Sequence, residues 1–333
     1  DRRGVFRNCE VFLPQFHEAD FGTRLRPSPE TLPDDVAARI AELQQRASAS
    51  SVYSAATVST GNKRTSGAAG PAPRNDPSGG ANTPSISADG DRVVYSSDAS
   101  NLIPNDINGE RNDVFVRRIS SQQTSVLSAD SAGKQYNGGA RLRRAPSAAV
   151  SADGRFAVMR AGGVIRKDLN SGTAQRACSG GADDIESPAI SATGRFVVFE
   201  ARDSIRGAAP DRNEHVDIYR CDIDTGQVDR VSEPNSDSIS TSGNALDPVV
   251  SNDGRFVAFY ADSGGYSDTD GNRAGIYLRD MNTDEIRPVD VPVGATTSDG
   301  NGENPRLTSD GKFLLFDSDA TDLPGGERNG RTV

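Results

Sequence analysis

Apolar runs of four or five residues alternate with Asx-Gly turns along this chain, and one such phrase returns five times. It reads PSISADGDRVVYSS from Pro84, PSAAVSADGRFAVMR from Pro146 and SPAISATGRFVVFE from Ser187. It returns as DPVVSNDGRFVAFY from Asp247 and NPRLTSDGKFLLFD from Asn304. Each copy places a turn, such as Asp89-Gly90, Asp153-Gly154, Asp253-Gly254 or Asp310-Gly311, between two apolar stretches. That arrangement predicts a β-hairpin, because glycine takes positive φ without a Cβ clash. Thr193-Gly194 is the weakest of the five signals.

The runs that follow the turns, such as residues 195–199 and 255–259, are almost continuously apolar, which suits strands buried on both faces. A third strand is expected at residues 113–117, 217–220 and 275–279. A turn follows at 168–172, 222–226 and 280–284, and a fourth strand at 227–231. The turn glycines at 90, 154, 194, 254 and 311 are spaced 64, 40, 60 and 57 residues apart. Four antiparallel strands at a period of about 40–60 residues predict an all-β fold, a β-propeller of four-stranded blades.

The motif S-x-D-G-R-hydrophobic, then D-x-N-G-x-x-D-[VI]-[FY]-[VL]-R, then D-x-x-T-G, resembles the TolB-type (WD40-like) propeller repeat over residues 84–333. The resemblance implies bacterial origin, export, protein–protein contact and commonly six blades. The second copy departs from it, running from Arg160 through Gly163 to Val164 without the D-x-N-G segment. The fifth reaches Val333 where its third strand is expected to begin. Five repeats allow a ring of five or six blades.

Ahead of the repeats, residues 1–50 read as an extension and 51–333 as the propeller. Residues 4–13 and 51–59 have β-like patterns, and one or both are expected to close the ring, since a half-blade exposes strand edges. Completion by a second molecule would instead make a polymer. Residues 32–46 predict one short helix, with Pro33 and two aspartates at its start and Val36, Ile40 and Leu43 on one face.

Composition narrows the partners. Net charge is −10, which argues against nucleic acid and anionic membranes. No stretch approaches the roughly 20 apolar residues of a membrane span. The sequence begins at Asp1, as after removal of a signal peptide or in a fragment. Cysteines 9, 178 and 221 read first as isolated residues. One disulfide plus a free thiol is the alternative, with Cys9 the natural staple for a ring closed at the N-terminus.

Only two histidines, His17 and His215, are present, and G-x-S-x-G is absent, so a nucleophilic triad and a multi-histidine metal site are disfavoured. The acidic loops are the candidates for chemistry: Asp106, Asn108 and Asp113; residues 211–217; and Asp268, Asp270 and Asn272. Alternating oxygen ligands before a glycine turn are how calcium loops begin, and Ca2+ is the one cofactor they suggest. The plainer reading is an Asx turn, in which Asp and Asn cap their own backbone. Sequence therefore favours a non-catalytic, exported scaffold that binds protein through its long loops, at 96–112, 128–145, 200–216, 233–247 and 291–303. A strand-exchange polymer and a hydrolase or lyase with acidic residues in the central channel are the alternatives.

Overall fold

A computed structural model describes residues 82–99, 102–103, 112–130, 135, 148–161, 163–178, 185–202, 204–208, 211, 213–235, 243–266 and 273–323. The β-like segments at 4–13 and 51–59, the helix at 32–46, Cys9 and His17 lie outside the described residues.

Blade I holds β1 (Asn82–Ile86), β2 (Arg92–Ser97), β3 (Asp113–Arg118) and β4 (Gln123–Val126). Blade II holds β5 (Ala148–Val150), β6 (Phe156–Arg160), β7 (Val164–Asp168) and β8 (Ala174–Arg176). Blade III holds β9 (Ile185–Ile190), β10 (Phe196–Ala201), β11 (Asp217–Asp222) and β12 (Val228–Arg230). Blade IV holds β13 (Ala245–Val250), β14 (Phe256–Ala261), β15 (Gly275–Asp280) and β16 (Glu285–Pro288). Blade V contributes β17 (Gly302–Leu307) and β18 (Leu314–Ser318). Every sheet is an antiparallel meander in chain order. The first strands of successive blades contact one another, which places them around a common axis. The fold is a β-propeller.

The apolar runs behave as their pattern predicts. β10 and β15 are buried along their whole length, and β2 nearly so. Their side chains fill both neighbouring junctions. Val197, Phe199, Tyr219 and Cys221 pack toward blade II, and Val198, Ile218, Phe259 and Tyr277 form the next core with blade IV. Within blades, an aromatic of the second strand faces one of the third, as in Phe199–Tyr219 at 6.0 Å and Phe259–Tyr277 at 6.1 Å between centroids.

The repeated Ser-x-Asp-Gly turn is a closed hydrogen-bonded unit. The hydroxyls of Ser87, Ser151, Ser251 and Thr308 donate to Asp89, Asp153, Asp253 and Asp310 at 2.5–2.6 Å. The same oxygens accept the backbone N–H five residues on, at 2.9–3.1 Å. Thr193 lacks the carboxylate, yet Gly194 keeps φ +78° and Ser191 still accepts from Phe196 N–H, so the weakest signal makes the same turn.

Blades join through these turns. A Cβ on Gly254 would lie 2.5 Å from the Phe196 ring of the preceding blade, and one on Gly311 would lie 2.7 Å from Phe256. Gly194 stands in the same relation to Phe156. Arg166 and Arg220, on third strands, donate to the carbonyls of Gly194 and Gly254 at 2.8 and 2.5 Å. At the first junction Arg92 takes the place of the phenylalanine and donates to Gly154 O. Arg155, Arg195 and Arg255 stack on their own Phe156, Phe196 and Phe256 rings. They also pair with Asp168, Asp222 and Asp280 at 2.7–2.9 Å. In blade I the charges are exchanged: Asp91 stands at the arginine position and Arg118 at the aspartate position, 3.7 Å apart.

Cys178, just beyond β8, is disulfide-bonded to Cys221 of β11, with Cα atoms 6.0 Å apart. The first expectation, of isolated cysteines, is corrected for these two. Residues 43 apart in sequence meet because consecutive blades stack face to face.

Candidate functional site

Two polar assemblies lie on the face that carries the long loops. The first surrounds the axis. The first strands of blades III, IV and V each contain an X-Pro pair: Ser187-Pro188, Asp247-Pro248 and Asn304-Pro305. Proline cannot donate to the ladder, so it sits at a β-bulge, and the register shifts there in β9, β13 and β17. Ser187, Asp247 and Asn304 have φ of 46°, 53° and 55°, left-handed values that mark the bulge. In blades II to V the apolar second strands end in polar residues, Arg160, Glu200, Tyr260 and Asp317, the last three opposite the bulges.

These groups interlock across blades. Arg160 of blade II lies 3.6 Å from Glu186 of blade III. Glu200 of blade III is buried and accepts the backbone N–H of Asp247 in blade IV at 2.8 Å. Tyr260 of blade IV is half-buried. Burial, then the carboxylates of Glu303, Asp262, Asp247 and Asp290, raise its hydroxyl pKa, so it remains a hydrogen-bond donor at neutral pH. Asn304 donates to Asp317 at 2.9 Å within blade V. Among the described residues the result is a rim rich in carboxylates, with Arg160, Tyr260 and Arg273, the last paired with Asp290 at 2.6 Å.

The second assembly is the acidic loop of blade III. Asp211 accepts from Asn213 N–H, and the Asn213 side chain accepts from His215 N–H, both at 2.9 Å. This is a run of Asx turns. Arg230 of β12 supplies the cation, 3.7 Å from Asp211, 3.4 Å from Asp217 and 3.3 Å from Glu233. Its side chain and those of Asp211 and Asp217 are 8% exposed or less. Burial pushes the Asp217 carboxyl up to about 6, against the opposing pull of the Ser232 hydroxyl and Arg230.

Of the calcium candidates, Asp113 opens β3 and is buried, where it accepts the Ser128 hydroxyl at 2.5 Å. Asp217 and Ser232 repeat that pair at 2.5 Å. Asp106, Asn108, Asp268, Asp270 and Asn272 lie outside the described residues. Among the described residues no cluster of three or more His, Cys, Asp or Glu is arranged to hold a metal ion. His215 is half-buried and belongs to the Asx-turn loop.

The rim residues were not singled out from sequence. Their signal was available, because the residue after each apolar second strand is polar in all five copies: Ser96, Arg160, Glu200, Tyr260 and Asp317.

The sequence matches no protein-family description and no curated protein. Solved structures similar to it include TolB from Acinetobacter baumannii, at 17% identity and a TM-score of 0.41, covering 72% of this chain and 54% of that one. A putative TolB from Agrobacterium tumefaciens is 14% identical, with a TM-score of 0.46, over 72% of this chain and 70% of that one. An oligogalacturonate lyase in complex with manganese is 14% identical, with a TM-score of 0.42, over 73% and 59%. This chain resembles TolB-type propellers in fold. It spans about half the length of the first of these proteins, and at such identity the likeness concerns the fold alone. No described helix is long and apolar enough to cross a membrane.

Proposed function

We propose that this chain is a non-catalytic, exported propeller that binds protein partners on its loop face. One contrast carries the reading. On the turn face, Ser, Asp and Arg side chains are bound into the turns and blade joints described above. On the loop face, Glu200, Asp247, Glu303, Tyr260 and Arg160 of blades II to V gather beside the axis and link one blade to the next. Long loops on a rigid scaffold are where recognition concentrates. The Cys178–Cys221 disulfide fits an oxidising compartment and so supports export.

A second reading, a hydrolase or lyase acting at the channel mouth, draws on the same rim, since Glu200, Tyr260, Glu303 and Arg160 are groups that could exchange protons or hold an anion. The test compares Asp247→Lys with Thr283→Lys, an exposed position in a turn on the opposite face. Partners recovered by chemical cross-linking from the protein's native extract should be lost with the first and kept with the second. Equal retention by both variants would sink the loop-face assignment. Turnover of an acidic sugar or peptide substrate, abolished by Glu200→Gln, would move the choice to the enzyme.

A further inference from the structure

Positive charge is concentrated in one stretch of an acidic sequence. Residues 131–178 hold nine Lys and Arg against two Asp and Glu, whereas the remainder holds 28 against 45. That segment is +7 and the rest −17. Such an imbalance has a local structural counterpart in blade II.

In blade III, Arg220 reaches the next blade's glycine carbonyl and also pairs with the carboxylate of Asp229 across the β11–β12 ladder, at 2.6 Å. The corresponding ladder pair in blade II is Arg166 and Gln175. Arg166 therefore donates to two neutral oxygens, Gly194 O at 2.8 Å and Gln175 Oε1 at 3.2 Å. Beside it, Lys167 donates to the carbonyls of Leu127 and Ala129 at 3.3 and 3.1 Å. Burial depresses the pKa of both cations, and nearby carboxylates, Asp224 and Asp168 for Arg166 and Asp130 for Lys167, only partly oppose it. Elsewhere Arg230, Arg255 and Arg273 each contact a carboxylate at 3.4 Å or less.

The cations flank an accessible edge. Every residue of β8 is exposed, including Arg176, and among the described residues β8 pairs only with β7. By contrast, the outer edge of β16 is covered, because the Asn235 amide exchanges two hydrogen bonds with Ile286 at 2.8 and 2.9 Å. The β6–β7 connection is only residues 161–163, so no long loop arises there.

We infer that the β7–β8 edge of blade II is a docking site for an extended acidic segment of a partner protein. The partner's carboxylates would supply the neutralisation that Asp229 gives in blade III, and its backbone would add to β8. A long polyanion such as nucleic acid would run onto the −17 remainder of the molecule and be repelled. A short acidic peptide along β8 meets Arg166, Lys167 and Arg176 against Asp168. This rests on the protein-binding reading above but uses a different surface from the axial rim.

The test measures binding of a fluorescent 20-residue oligoglutamate peptide to the full chain by anisotropy, at about 50 mM salt, where screening is modest. Two variants share the readout. Arg166→Gln with Lys167→Gln and Arg176→Gln removes the charge. Gln175→Asp restores the internal carboxylate found in blade III, and so is expected to fold. Kd should weaken at least about tenfold in the first and several-fold in the second, and remain unchanged in Arg287→Gln with Arg306→Gln on blades IV and V. Absence of peptide binding, or binding that Gln175→Asp leaves unchanged, would overturn the inference. Tighter binding of a DNA duplex of equal charge would reassign the surface to nucleic acid and overturn it too. Failure here, with the partner still lost on Asp247→Lys, would leave the loop-face reading intact.

Discussion

Replacing Gly254 by alanine isolates the energy of a blade joint, because Gly226 provides a matched control. Both glycines sit in turns with nearly the same backbone, φ +72° and +74°. Beside Gly226 a Cβ would meet open space, whereas beside Gly254 it would fall 2.5 Å from the Phe196 ring. Gly226→Ala should therefore cost only the left-handed backbone penalty, about 1–2 kcal/mol. Gly254→Ala should cost that plus the overpacking of a well-filled core, a further ~1–3 kcal/mol. The measurement is urea unfolding, comparing midpoints at unchanged slope. Phe196→Ala adds the decisive arm. Alone it removes a buried aromatic and should cost roughly 3–5 kcal/mol. In its background the extra cost of Gly254→Ala should vanish and leave only the backbone penalty, a non-additivity expected of groups in contact. Equal costs for the two glycine variants, or an undiminished Gly254→Ala cost without the Phe196 ring, would refute the joint as described.

Three further outcomes follow from the geometry. Asp217, raised to about 6 by burial, holds its proton more tightly folded than unfolded, so its contribution is full below about pH 4 and is lost as pH rises through 6. Unfolding free energy should thus fall by roughly 1–3 kcal/mol between pH 4 and 7 from this group, and Asp217→Asn should flatten that slope in a pH series of urea melts. Mass spectrometry after alkylation without reduction should label Cys9 but neither Cys178 nor Cys221, and loss of the bridge in Cys178→Ser with Cys221→Ser should cost about 2–4 kcal/mol. If the acidic loops are Asx turns throughout, 1 mM calcium in place of a chelator should leave Tm unchanged within about 1 °C, whereas a rise of several degrees would assign an ion to the loops of Asp106 or Asp268.

The repeat made the hairpins legible, since Asp-Gly between apolar runs is a local signal and the local geometry obeys it. What the serine of the same motif does, accepting a backbone N–H five residues on, was hidden because its role is spatial. The joint between Phe196 and Gly254 was hidden for the same reason, as was the pairing of Cys178 with Cys221. The reversed pair Asp91 and Arg118 could have been seen by aligning the copies, as could the polar series at Arg160, Glu200 and Tyr260. The acidic loop of blade III looked like a cation site from its spacing. Only the fold brings Arg230 in from another strand to serve as that cation.

The joint between blades has two unlike halves, a ring on one blade and a bare glycine on the next. Blades II, III and IV therefore each offer a plug forward and a socket backward, and the chemistry contains no instruction to stop. Number is left to geometry, to the angle at which successive sheets lean. A blade can be gained or lost by duplication without redesigning its neighbours, provided plug and socket are carried along. The first junction shows how much latitude that leaves, for there Arg92 enters the socket at Gly154 in place of a ring and the two blades still close.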